Sequence, residues 1–156
     1  MTLDIESRAK AGVGLFLQGY NCSQAVAMAF ADLYDIAPVQ MSRLAASFGG
    51  GIGRMRETCG SACGMFLLAG LEIGKDLPEP YPSPAMKKQN YETVQRLAAA
   101  FKATNGSLIC RELLGGTAST HPTPAERDAH YYSTRPCARM VETAIRIYGK
   151  FLEGTL

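Results

Sequence analysis

Cysteine thiols are the side chains of this sequence best suited to chemistry. Thiols exchange with disulfides, and thiolates bind soft metal ions or iron–sulfur clusters. Their number is odd, and the N-terminus lacks a secretory signal, so we expect a reducing compartment in which permanent disulfides are rare. The cysteines are therefore interpreted as core residues, metal ligands or redox thiols: Cys22, Cys59, Cys63, Cys110 and Cys137.

The spacing of these cysteines excludes several familiar sites. The sequence contains no C-x-x-C, so a thioredoxin-type site, a zinc ribbon, a ferredoxin and a c-type haem attachment are not supported. Cys59 and Cys63, four residues apart, share a helix face with nearly parallel Cβ vectors, and a disulfide between them would strain the helix. Each is expected to meet a cysteine from another helix, or to share a metal.

Most of the chain has the apolar spacing of helices, and no segment alternates with period two. We predict an all-α fold, a compact single-domain bundle of about six helices spanning residues 1–156. A proline-rich loop is expected at 76–84, and a loop with a turn of helix after Pro124 at 121–135. The predicted helical segments are 5–19, 21–36 (closed by Pro38), 38–50, 58–75, 85–106, 107–116 and 136–154.

Four cysteines follow predicted helix starts, at Asn21, Thr58, Ser107 and Pro136. The free N–H groups and partial positive charge of a helix start stabilise a thiolate and lower the thiol pKa. If these helix ends converge, they form an electropositive site for thiol–disulfide exchange, or for a metal or cluster held by four thiolates. Neighbouring arginines would add positive charge: Arg56, Arg111 and Arg139.

Glycines and histidines supply weaker candidates. The stretch FGGGIGR at residues 48–54 lacks the Lys-Ser/Thr of a P-loop, so we expect a turn between helices whose N–H groups could approach an anion or a cluster. Gly60 and Gly64 predict close helix packing, or room for a ligand beside the thiols. His121 and His130 are expected at the surface.

Composition limits the function classes. The net charge of +2 is spread along the chain, which gives no case for nucleic-acid binding, and no apolar run is long enough to enter a membrane. We expect a cytoplasmic protein. The amphipathic helix at 86–104 is as compatible with a homo-oligomer interface as with the core.

Four cysteine contexts occur in an order that resembles the C_GCAxxG_C_C family of small prokaryotic redox-active proteins. These are GYNCSQAV, GGGIGRMRETCGSACG, LICRELLG and RPCARMVETA, within residues 19–144. Ser61 replaces the usual alanine of the C-G-A-x-x-G motif, and Cys63 is an extra thiol. The resemblance implies a redox partner protein and these family residues: Cys22, Cys59, Cys110, Cys137, Gly60 and Gly64.

Two redox mechanisms stay open from the sequence. In a dithiol mechanism, Cys59 is the nucleophile and Cys22 or Cys137 resolves it. In a cluster mechanism, Cys22, Cys59, Cys110 and Cys137 are the ligands and Cys63 is a spare ligand. The alternatives are a zinc or copper binding or trafficking protein, and an interaction protein with buried cysteines. Whether the protein is an enzyme stays open.

Overall fold

Helices form the described part of the molecule in this computed structural model, which covers residues 2–76, 83–116 and 118–156. No β-strand occurs within those ranges, which contain one isolated bridge between Thr58 and Ile109, so the predicted all-α class is confirmed. The helices are α1 (Ile5–Leu17), α2 (Cys22–Met28), α3 (Pro38–Ala45), α4 (Gly49–Ile52), α5 (Gly60–Gly74), α6 (Pro84–Asn105), α7 (Cys110–Leu113), α8 (Ala129–Thr134) and α9 (Cys137–Glu153), with 3₁₀ turns at Ala31–Tyr34 and Ala46–Phe48.

The apolar core lies between α5 and the helices around it. Helix α5 packs against α2, α6 and α9, and α1 lies along α9. Leu68 of α5 and Tyr148 of α9 are fully buried, and Phe30 stacks edge-on against Tyr148 with ring centroids 4.9 Å apart. At Gly64 a Cβ atom would lie 2.9 Å from Val26 Cβ, so the absent side chain allows α5 and α2 to approach closely. No helix in the described ranges is long and apolar enough to cross a membrane.

The second helix is shorter than predicted. It ends at Met28 rather than at residue 36, because Arg8 donates to the Ala29 carbonyl at 2.8 Å and Phe30 turns into the core. Pro38 does not close this helix but occupies the first turn of α3, where its missing N–H costs no hydrogen bond.

Other predicted helix starts differ as well, and the N-cap of α7 is Ile109 rather than Ser107. The N-cap of α5 is Cys59 rather than Thr58. The turn of helix predicted after Pro124 is α8, which begins after Asp128, whose carboxylate accepts from the Tyr131 N–H at 2.9 Å. The predicted proline-rich loop includes residues 77–82, which lie outside the described residues.

Candidate functional site

Four of the five cysteines lie in the wall of one cavity of about 290 Å³. Each comes from the start of a different helix. Cys22, Cys110 and Cys137 are the first residues of α2, α7 and α9, and Cys59 is the N-cap of α5. Cys22, Cys59 and Cys110 are buried, whereas Cys137 is partly exposed. The fold therefore gathers thiols that are up to 115 residues apart in the sequence, from Cys22 to Cys137.

A capping box fixes the start of α2 at Cys22. The Asn21 side chain accepts from the Gln24 N–H at 2.9 Å, and the Gln24 side chain accepts from the Asn21 N–H at 3.0 Å. Asn21 also donates to the Ala46 carbonyl at 2.9 Å, which ties this helix start to the turn before α4. The Cys22 side chain is thereby held against the start of α5.

Cys59 and Cys110 are held together by paired backbone. The Cys59 N–H donates to the Leu108 carbonyl at 2.7 Å, and the Cys110 N–H donates to the Glu57 carbonyl at 2.6 Å. These bonds flank the antiparallel bridge between Thr58 and Ile109. A pairing between segments some 50 residues apart thus joins two of the four helix starts.

Gly60 allows Cys22 to approach α5. A Cβ atom at Gly60 would lie 2.4 Å from Cys22 Sγ and 2.7 Å from the Phe48 carbonyl oxygen. Both separations are far below van der Waals contact, so a side chain at this position would displace the thiol or the backbone. Gly60 therefore belongs to the cavity wall, whereas Gly64 lies one turn deeper and packs against α2.

The glycine-rich stretch forms a left-handed turn beside the thiols. Residues 50–54, which include most of α4, all have positive φ, from 59° to 73°, so α4 is not a regular right-handed helix; Arg56 has a φ of 61°. Glycine adopts this conformation without steric cost, but Ile52 at 64° is a β-branched residue in a strained position. A Cβ at Gly51 would lie 2.6 Å from Cys110 Cβ, so glycine is required there by both space and conformation. The predicted turn is present and carries two arginines into the wall.

Four arginines contribute to the cavity wall, and the described residues that form it include no carboxylate. Arg56 is only 5% exposed; its Nε donates to the Ser119 carbonyl at 2.9 Å, and its Nη1 lies 3.7 Å from Cys110 Sγ. Arg54 donates to the His121 carbonyl at 2.8 Å. Arg127 donates to the carbonyls of Phe16 and Tyr20. These bonds tie the segment before α9 to the site, and Arg135 completes the set.

Burial dominates the electrostatics of the thiols. Desolvation raises the pKa of Cys22 and Cys59 above the ordinary value, and raises that of Cys137 to about 11. The N–H groups of Gly50 and Ser61 oppose this effect at Cys22 and Cys59 respectively, but do not overcome it. The prediction that helix starts lower the pKa of these thiols was therefore wrong, because the low polarity of the interior outweighs the helix dipole.

Cys63 lies apart from this cavity. Its Sγ is 3.8 Å from the Thr58 carbonyl oxygen, and burial raises its pKa to about 12. The structure thus separates the extra thiol, predicted as a spare metal ligand, from the other four. Both histidines are exposed, as expected. Of the flanking arginines, only Arg56 reaches the wall, since Arg111 and Arg139 do not line it.

Three wall residues were not singled out from the sequence. Arg127, Tyr131 and Arg135 are spaced four residues apart, but only Tyr131 lies within α8, since Arg127 precedes the N-cap Asp128 and Arg135 is the extended C-cap. The Tyr131 hydroxyl interacts with the Cys137 thiol, and the Arg135 guanidinium lies 5.3 Å from the Tyr131 ring centroid. The spacing of these three residues is therefore not that of a helix face, and the local sequence held no signal for their place in the wall.

The wall also contains a buried hydroxyl without a partner. Ser61 is completely buried, and its Oγ makes no hydrogen bond. Within the described ranges, no three His, Cys, Asp or Glu side chains are placed so as to hold a metal ion. The four thiols thus line one cavity without forming a group of that kind.

The order of these cysteines along the chain agrees with a known family pattern. Residues 20–151 match the C_GCAxxG_C_C family, described as a "putative redox-active protein". The chain belongs to this family. No curated protein and no solved structure matches it. The resemblance noted from the four cysteine contexts is thus confirmed.

Proposed function

We propose that this protein transfers electrons through an iron–sulfur cluster held by the four cavity cysteines. The observation that carries the proposal is the placement of Cys22, Cys59, Cys110 and Cys137 around one cavity. A disulfide uses two thiols, whereas a cluster uses four thiolates, so the cluster accounts for the whole set. When bound, such a cluster would supply reversible one-electron chemistry.

Protonation of the thiols supports the same proposal. Buried thiols with raised pKa values are largely neutral at pH 7 and are slow nucleophiles in exchange reactions. A metal displaces the thiol proton on binding, so a high pKa in the metal-free protein does not prevent ligation. The four side chains would then bind as thiolates.

Charge balance also favours an anionic group in this cavity. Several thiolates in a buried site are costly unless positive charges and hydrogen-bond donors surround them. Arg54, Arg56 and Arg135 supply the positive charge, and Arg56 already lies beside the Cys110 sulfur. The unpartnered Ser61 hydroxyl in the cavity wall also fits an additional group in the cavity.

A reversible disulfide between Cys22 and Cys59 is the second candidate. The specific observation is that Gly60, which follows Cys59, leaves space for the Cys22 sulfur. After burial, the charge of Cys22 is the largest influence that raises the pKa of Cys59, so the two thiols are electrostatic neighbours. Cys59 would be the attacking thiol in this scheme, with Cys22 or Cys137 as its resolving partner.

The test is anaerobic purification followed by a visible spectrum and assays for iron, sulfide, zinc and copper. Broad absorbance with iron and sulfide, lost in Cys110→Ser but retained in Cys63→Ser, supports the cluster. A colourless, metal-free protein with two thiols that oxidise reversibly supports the disulfide. Bound zinc or copper without sulfide identifies a metal-binding protein instead. Five thiols that react only after unfolding, with no metal bound, refute both redox proposals.

A further inference from the structure

Two serines of the core have buried hydroxyl groups without partners. Ser23 and Ser61 are both 0% exposed, and neither Oγ has a hydrogen-bond partner among the residues that the structure describes. Buried polar groups in folded proteins are nearly always paired, so an unpaired one calls for an explanation such as a redox role or a missing ligand. Ser61 belongs to the wall of the cysteine cavity, whereas Ser23 does not.

The surroundings of Ser61 place it beside the thiols. It is the second residue of α5, two residues after Cys59, and its backbone N–H already acts on the Cys59 sulfur. Asn21 and Arg56, which line the same cavity, have hydrogen-bond partners in the protein. Among the described residues of the wall, Ser61 is the fully buried side chain whose oxygen has none.

We infer that the Ser61 hydroxyl is a hydrogen-bond donor to a sulfur of the reduced redox centre and raises its midpoint potential. Reduction makes the sulfurs more electron-rich, either as the more negative sulfurs of a reduced cluster or as the neutral thiols of a reduced disulfide, and an O–H donor therefore stabilises the reduced state more than the oxidised state. The inference rests on the proposed function, because it requires the cavity cysteines to be redox-active. Ser61 acts here as a positioning residue that tunes the centre.

The direction is the same for both forms of the centre. A cluster gains one electron from dithionite. A disulfide gains two electrons and two protons from dithiothreitol, giving two thiols while dithiothreitol closes to its cyclic disulfide. In each case the reduced form has the more electron-rich sulfur, so loss of the hydroxyl should lower the midpoint potential.

The experiment compares Ser61→Ala with Ser23→Ala, since each variant removes one buried, unpartnered oxygen. Midpoint potentials are measured anaerobically, by spectral titration with dithionite for a cluster or by thiol quantification in dithiothreitol buffers for a disulfide. For Ser61→Ala we expect a lower potential, corresponding to a roughly fivefold smaller ratio of reduced to oxidised protein at fixed potential. Ser23→Ala should match the wild type.

Three results would overturn the inference. One is a wild-type potential in Ser61→Ala, and another is an equal shift in Ser23→Ala. The third is a lower urea midpoint for metal-free Ser61→Ala, since that loss would show that the hydroxyl already has a partner in the protein. Each of these leaves the proposed function intact if the wild type is redox-active. A wild type with neither cluster nor reversible disulfide refutes both.

Discussion

Replacing Gly60 by alanine should disrupt the thiol site through a single methyl group. The new Cβ would lie 2.4 Å from Cys22 Sγ, 2.7 Å from the Phe48 carbonyl oxygen and 3.3 Å from Gly49 Cα. Favourable contacts between such heavy atoms begin at about 3.5 Å, so the Cys22 side chain or the α3–α4 backbone must move by about 1 Å. Cys22 is pinned by the capping box at Asn21, so it cannot retreat without cost.

The size of the effect follows from two opposing contributions. Overpacking of a buried site costs typically about 1–3 kcal/mol. Alanine gains at most about 0.5–1 kcal/mol over glycine in a helix, and less at its first residue. We therefore expect the Gly60→Ala variant to lose about 1–2 kcal/mol of unfolding free energy. It should also bind less iron, because Cys22 is displaced.

Gly14→Ala is the matched control. Gly14 lies within α1, and a Cβ there would meet no atom within 4 Å, so this variant should gain about 0.4–1 kcal/mol. Urea unfolding of the metal-free proteins measures the stabilities, and iron and sulfide analysis after anaerobic reconstitution measures the site. A Gly60→Ala variant with wild-type stability and wild-type iron would refute the deduced approach of Cys22 to α5. Equal destabilisation by Gly14→Ala would refute the steric explanation.

Three further predictions test individual side chains. Cys110→Ser should lose most bound iron whereas Cys63→Ser should not, as measured by metal analysis; equal retention would exclude Cys110 as a ligand. Arg56→Gln should lower the unfolding free energy by roughly 1.5–3 kcal/mol and speed the labelling of Cys110 by a thiol reagent, because Arg56 holds the Ser119 carbonyl and covers the Cys110 sulfur. Arg139→Gln is the exposed control, and equal effects of the two substitutions would contradict this role of Arg56. Because burial raises the pKa of Cys137 from 9.0 to about 11, the folded state retains this thiol proton longer than the unfolded chain does. The contribution of this thiol to the unfolding free energy is complete below pH 9 and is lost as the pH rises through 11. Urea unfolding should therefore show a smaller loss of unfolding free energy between pH 9 and 11 in Cys137→Ala than in the wild type. Equal losses in the two proteins would contradict the raised pKa.

Local chemistry made much of the fold predictable from the sequence. Asn21 and Gln24 form the capping box that begins α2, and Pro136 directly precedes α9. These features depend on residues within one helical turn, so a single sequence reveals them. The same holds for Cys22 and Cys137, which are the first residues of their helices, whereas Cys110 was predicted three residues after a cap at Ser107 and instead directly follows the N-cap Ile109.

Burial could not be read from those contexts. A helix start lowers a thiol pKa only where water or donors stabilise the charge. At Cys59, the surrounding core raises the pKa despite the N–H groups of Ser61 and Ala62. The core that encloses Cys59 comes from distant segments, including Leu108, whose carbonyl accepts the Cys59 N–H. The direction of the pKa shift is therefore a tertiary property.

The left-handed turn shows a second limit of sequence reasoning. Its glycines predicted a turn, but Ile52 and Arg54 disfavour φ values of 64° and 62°. Backbone bonds that each span six residues support the conformation, since the Gly53 N–H donates to the Ser47 carbonyl at 2.8 Å and the Glu57 N–H to that of Gly51 at 2.9 Å. Strain of this kind persists only where the surrounding structure imposes it, and it is concentrated at functional sites.

The arginines of the wall both bring positive charge to the thiols and hold the segment that covers them. A guanidinium has five N–H donors, so one side chain can hold a carbonyl and still face a sulfur. Arg56 does both, with the Ser119 carbonyl on one side and the Cys110 sulfur on the other. Burial and the like charges of Arg56 and Arg135 lower the pKa of Arg54, so the arginines of the wall repel one another. An anionic centre would relieve that repulsion. A negative charge in the cavity would therefore stabilise the same arginine side chains that cover the thiols.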